Sequence, residues 1–137
     1  MAGFGLNCAR AFTGTLSPCD LARMRSDRDR LEDILRAINN AERFKDEGEE
    51  RFLRDDLLQV WVLHHLLIIG EAARGLSEKL REEHAETPWP RIIGLRNVVA
   101  HEYFGLNLKQ VWMVLVRDLP ALRVEVERIV EPMRGST

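Results

Sequence analysis

The stretch Gly94-Leu95-Arg96-Asn97-Val98-Val99-Ala100-His101-Glu102-Tyr103-Phe104-Gly105 places an Arg, an Asn, a His and a Tyr within eight positions. These residue types suit phosphodiester cleavage without a metal. His101 could move a proton between a ribose 2′-hydroxyl and the leaving oxygen, while Arg96 holds the phosphate in bidentate fashion and stabilises charge on the phosphorane. Asn97 could orient His101 or bind a phosphate oxygen. On an unbroken helix Asn97 and His101 share one face and Arg96 and Tyr103 another, with His101 about 140° from Arg96. Convergence therefore requires the helix to end near His101, or a second subunit to complete the site. A purely structural account competes with the catalytic one. In it Arg96 pairs with Glu102 or Glu71, and His101 caps a helix C-terminus where the macrodipole favours a cation. Spacing alone leaves both open.

Other chemistries find little support. The phosphate-cradling Gly-Lys-Ser/Thr loop, the three-glycine dinucleotide turn and the Gly-x-Ser-x-Gly elbow do not occur. Cys8 and Cys19 lie in an unpatterned head with no evident base, too few for a disulfide framework or a structural zinc site. The residues three before each histidine are Trp61, Val62, Arg81 and Val98, so no Glu-x-x-His pair exists for a two-metal bundle site. No metal and no cofactor is expected. His64 and His65, in an apolar segment, read first as hydrogen-bonded core or interface residues and second as ligands or titrating groups. His84 reads as a solvated surface residue.

The elements that must position Arg96 and His101 are helical. The 137 residues include 20 Lys+Arg and 22 Asp+Glu, a net charge of −2, which suits one ordinary soluble domain and excludes a chain that coats nucleic acid by sheer basicity. Any RNA contact must come from a local patch; from Arg91 to Arg128 six Lys/Arg face four Asp/Glu. The densest apolar stretch, Val60 to Ile69, is too short for a membrane span and holds two histidines, so no membrane partner is expected. The interrupted N-terminus gives no secretory signal, which makes the cytoplasm the default.

Residues 1–24 show no period and are expected to form an irregular extension. Patterned sequence begins at Ser26, a helix cap followed by Leu31, Ile34, Leu35, Ile38 and Ala41 at helical spacing. Gly48 is a plausible stop, and a second, long helix is expected from about Phe52 to Glu83. Its middle is apolar on every side, so it must be central or lie at an oligomer interface. Gly70 inside it suggests close approach by another backbone. Thr87-Pro88-Trp89-Pro90 separates it from a third helix, from about Arg91 to His101. Asn107 and Gln110 suggest a capping-box start for a last helix, which Pro120 should kink or end unless it restarts at Ala121. The expected fold is all-α, an antiparallel up-and-down bundle of four main helices over 25–131, with a flexible tail over 132–137.

The segment from Arg96 to Tyr103 resembles the signature of the HEPN superfamily, and more narrowly its HepT-like branch: Arg, four residues, His, one residue, Tyr, with Asn directly after Arg. The likeness extends to Pro88-Trp89, Ile92-Ile93-Gly94, Ile69-Gly70-Glu71-Ala72, Val111-Trp112 and Asp118-Leu119-Pro120. It covers most of Arg25 to Val130. The resemblance implies an all-helical homodimer whose two motifs face a shared cleft, with metal-independent ribonuclease activity toward cellular RNA such as tRNA or mRNA. It implies that Arg96 and His101 are the catalytic pair and Asn97 supports them. It also implies a toxin whose Tyr103 receives AMP from a minimal nucleotidyltransferase antitoxin, bringing a bulky anion into a cleft meant for RNA phosphates. Chains of this branch typically begin near Met24, so residues 1–23 read as additional. The rival reading is a non-catalytic HEPN module that binds a nucleotidyltransferase or nucleotide.

Overall fold

The computed structural model describes residues 25–101 and 107–135, apart from the side chains of Val98, Ala100 and His101. The expectations for residues 1–24, and those for Tyr103, lie outside the described residues. Every regular element among the described residues is helical.

Helix α1 (Asp27–Ala41) starts where its cap predicts. Ser26 Oγ accepts from the Asp29 amide at 3.0 Å, and the Asp29 carboxylate accepts from the Ser26 amide at 3.3 Å, so two orphan donors of the first turn are satisfied reciprocally. Those bonds, the backbone one foremost, hold the Asp29 carboxyl below its usual range. The apolar stripe from Leu31 to Ala41 is buried as its spacing requires. A 3-10 segment (Glu42–Glu47) follows and stops at Gly48, whose φ of 93° is a conformation L side chains rarely adopt.

The single long helix expected over 52–83 is three helices, α2 (Glu49–Arg54), α3 (Asp56–Arg74) and α4 (Glu78–Glu83). The first break is a cap hidden in a charged run. Asp55 takes an extended conformation and its Oδ1 accepts from the amides of Leu57 and Leu58 at 3.0 and 3.2 Å. Gly75 closes α3, and Ser77 then caps α4 by accepting from the Leu80 amide at 3.1 Å. Ser77 Oγ also donates to Asp27 Oδ2 at 2.6 Å, which ties the start of α4 to the start of α1.

Helix α3 is the central one. It buries Val62, Leu63, His65, Leu66, Ile69, Gly70, Ala72 and Ala73. Trp61 Nε1 donates to the Asn40 carbonyl near the end of α1, while Asp27 meets Ser77 beyond the end of α3, so α1 and α3 run antiparallel. Being 19 residues long, α3 is apolar enough by length and composition to match a membrane span, which amends the sequence expectation. One face packs against α1 and α5 as in a core helix, while Leu57 and Val60 stay exposed.

Helix α5 (Trp89–His101) begins two residues before the position the sequence suggested. Trp89 is buried and its Nε1 donates to the His84 carbonyl at 3.0 Å, which anchors the helix start. The final run is α6 (Leu108–Met113), a π-helical segment (Val114–Asp118) and α7 (Leu119–Arg134). Asn107 Oδ1 accepts from the Gln110 amide at 3.2 Å, the expected cap, although no reciprocal Gln110 bond appears among the described residues. Pro120 does not end the run, because it falls in the first turn of α7, where a proline is tolerated. The π register before it already shifts the amide bonds, with the Leu119 amide donating to the Val114 carbonyl. Helix α7 continues to Arg134, past the boundary expected at 131. Arg134 donates to both oxygens of Glu32, at 2.8 and 2.7 Å, which docks the end of α7 on α1.

Leu31, Ile34, Ile38, Ile69, Leu115, Leu119, Val126 and Val130 form the fully buried centre. Each such side chain contributes about 1.5–3 kcal/mol relative to exposure, so the core joins α1, α3 and the last helical run far more firmly than any surface ion pair does, and α5 adds buried Trp89 and Ile92 to it.

Candidate active site

Arg96 lies on α5 opposite Gly70 on α3. A Cβ placed on Gly70 would sit 2.9 Å from the Arg96 backbone nitrogen and 3.1 Å from its Cβ. The close approach inferred from a glycine inside an apolar helix is therefore present, and it sets the height of Arg96 along α3. The next residue of α3, Glu71, forms an ion pair through Oε1 with Nε of Arg96. Of the two pairing partners that the structural account offered, Glu71 engages Arg96; Glu102 lies outside the described residues. The pair remains open to water, the Arg96 side chain being 41% and the Glu71 side chain 46% exposed.

Asn97 is exposed on α5, one position further on. His101 is the last residue of the helix. With α5 helical from Arg96 to His101, the two positions lie about 7.5 Å apart along the axis and about 140° apart around it. One copy of α5 therefore presents the Arg and His positions on different faces. Tyr103 belongs to the segment outside the described residues.

The other histidines fall into distinct settings. His65 is buried, and neither ring nitrogen has a hydrogen-bond partner among the described residues, unlike the hydrogen-bonded core residue expected. Its ring sits edge-on to Trp61, with centroids 4.7 Å apart, and to exposed His64, 5.0 Å away. Burial, and secondarily the charge of His64, pushes its pKa down. His84 is half-buried rather than fully solvated and lies 3.7 Å from Glu86. Among the described residues no group of three or more His, Cys, Asp or Glu side chains comes together as a metal site.

A groove of about 750 Å³ runs between α5 and the α6–α7 run, with Leu66, Ile92, Leu95 and Val111 in its walls. Arg96 does not line it, and it belongs to a different face of α5.

The family model described as ribonuclease HepT-like matches residues 34–129. The chain belongs to the HepT-like ribonuclease family. A protein of Caldanaerobacter subterraneus subsp. tengcongensis, provisionally named an RNase, is 36% identical over 109 residues, spanning 79% of this chain and 97% of that one. One named "probable ribonuclease HepT" in Thermococcus cleftensis is 36% identical over 106 residues, 77% of this chain and 96% of its own length. A second provisionally named RNase, from Methanocaldococcus jannaschii, is 36% identical over 98 residues, 71% of this chain and 90% of its own. No solved structure matches. The HepT-like match includes both Arg96 and His101, and also Gly70 and Glu71 on the facing helix.

Proposed function

We propose that this chain is the toxin of a toxin–antitoxin pair, a metal-independent ribonuclease that cleaves cellular RNA. Arg96 and His101 carry the reaction, with Asn97 in support. The observation that supports this most is that α5, the helix that carries His101, also presents a partly exposed Arg96 guanidinium, paired at one nitrogen with Glu71 of α3. A fixed guanidinium is suited to a phosphate, since two parallel N–H donors match two phosphate oxygens.

In the proposed reaction the 2′-hydroxyl oxygen bonds to phosphorus as the bond to the 5′-oxygen breaks. His101 takes the hydroxyl proton and delivers it to the departing 5′-oxygen. Arg96 stabilises the extra negative charge on the phosphorane. The products are a 2′,3′-cyclic phosphate and a 5′-hydroxyl, and the electron pair leaves with the 5′-oxygen.

The angular separation of Arg96 and His101 on α5 favours a homodimer, in which the Arg of one copy and the His of the other serve one phosphate. Each protomer is read as an antiparallel up-and-down bundle of four main helices. A minimal nucleotidyltransferase antitoxin then silences the cytoplasmic toxin by transferring AMP to Tyr103. The second reading, a non-catalytic module that binds a nucleotidyltransferase or nucleotide, draws on the same Glu71–Arg96 pair, which a purely structural arginine would also make.

Incubating the purified protein with total tRNA and a structured mRNA in excess EDTA decides between them. Cleavage that survives chelation and is lost in Arg96→Ala and in His101→Ala supports the ribonuclease. No cleavage by protein shown by intact mass to lack AMP supports the binding module.

A further inference from the structure

We propose that Glu71 is the positioning residue for Arg96: its carboxylate fixes the Nε side of the guanidinium so that the Nη1–Nη2 edge faces the RNA phosphate. This rests on the ribonuclease reading above.

Four observations carry it. The contact joins Glu71 Oε1 to Arg96 Nε, and among the described residues no other ion pair or hydrogen bond engages the Arg96 side chain. An arginine held at Nε keeps its two terminal nitrogens for a bidentate partner. The register is set by the backbones, because Gly70 admits the Arg96 amide to a distance no Cβ would allow. Glu71 is thus delivered to Arg96 by helix packing.

The third observation is where the carboxylate stands. From Leu57 to Gly70 the sequence has no Asp, Glu, Lys or Arg, and the first charge to follow is the one that meets Arg96. The fourth is exposure. With 41% of the Arg96 and 46% of the Glu71 side chain in water, the pair adds little to the stability of the fold, so its consequence lies in the orientation of the guanidinium. Holding a reacting group in place before substrate arrives speeds the chemical step more than it tightens substrate binding.

The test compares the full chain with Glu71→Ala, Glu71→Gln and Arg96→Ala on an RNA oligonucleotide. Thermal melts verify that each variant is folded. Glu71→Ala is expected to lower kcat by about 10- to 100-fold with KM changed far less, because the guanidinium loses its anchor. Glu71→Gln keeps an oxygen beside Nε without the charge and should restore kcat to within a few-fold of wild type. A folded Glu71→Ala that matches wild type in kcat while Arg96→Ala is inactive overturns the proposal. If wild type cuts no RNA, or Arg96→Ala cuts as well as wild type, the ribonuclease reading is what fails.

The pairing has its own readout, independent of activity. In 15N NMR the Arg96 Nε–H signal should exchange slowly with water in wild type and in Glu71→Gln, and rapidly in Glu71→Ala. Equally fast exchange in wild type and Glu71→Ala overturns the positioning role whatever the activity.

Discussion

Gly70 and Arg96 meet backbone to backbone: a methyl group added at Gly70 would lie 2.9 Å from the Arg96 amide nitrogen. In an exposed helix a Gly→Ala change stabilises by up to about 1 kcal/mol. Here α3 or α5 must move aside instead, and Gly70→Ala is expected to cost about 1–3 kcal/mol net, as overpacked cores do. Displacing Arg96 should also lower RNA cleavage. Chemical denaturation alongside a cleavage assay checks both effects; a more stable, fully active variant would refute the close contact.

Gly94 provides the opposite case on the same helix. Nothing lies within 4 Å of a Cβ built there, and it sits inside α5. Gly94→Ala should stabilise the chain by about 0.5–1 kcal/mol through the loss of unfolded-state freedom and leave cleavage intact. The comparison with Gly70→Ala in one denaturation series separates helix propensity from packing.

His65 should make stability depend on pH. Burial lowers its folded pKa below the ordinary 6.5, so above that value the ring is neutral folded or unfolded and has no effect. As the pH falls from 6.5 the unfolded chain binds the proton first, and stability is lost progressively until the folded pKa is reached. The midpoint of urea unfolding is expected to drop between pH 7.5 and pH 5. His65→Leu should flatten that slope, and an unchanged slope would count against a buried neutral imidazole.

The Arg134–Glu32 bridge should respond to acid in the opposite structural corner. Arg134 holds the Glu32 carboxyl below its usual range, so this contribution is present above pH 4.5 and is lost as the pH falls through the lowered folded pKa. Arg134→Ala is expected to reduce stability at pH 7. The difference from wild type should shrink at pH 3 and in 1 M salt, as melting curves would show.

Much of this architecture could be read from single residues. Ser26, Asn107 and Gly70 announce a cap, a cap and a close contact, because each does something only a few residue types can do. Asp55 could not be read in the same way. It caps α3 from within Arg54-Asp55-Asp56, where each charge also fits an ordinary surface, and the apolar pattern runs on through the break. The site divides likewise. The local spacing from Arg96 to His101 is visible in the chain, and Glu71 appeared as one of two possible partners. Choosing Glu71 required the register between α3 and α5, which is a tertiary quantity. The lack of partners around the His65 ring gave no local signal, since a buried histidine with hydrogen bonds has the same sequence.

The π-helical segment Val114–Asp118 means that the last helical run holds one residue more than a regular α-helix would need to join its two ends. Shortening the run by one residue there would return it to α-helix without turning Leu122, Val126, Ile129 and Val130 out of the core. The same deletion inside α7 would swing every later side chain by about 100°. Pro120 adds a condition, because in an α-helix its ring would press on the carbonyl of Val116. The surplus residue and the proline thus form an indel site within a continuous helix, where a chain could change length if both changed together.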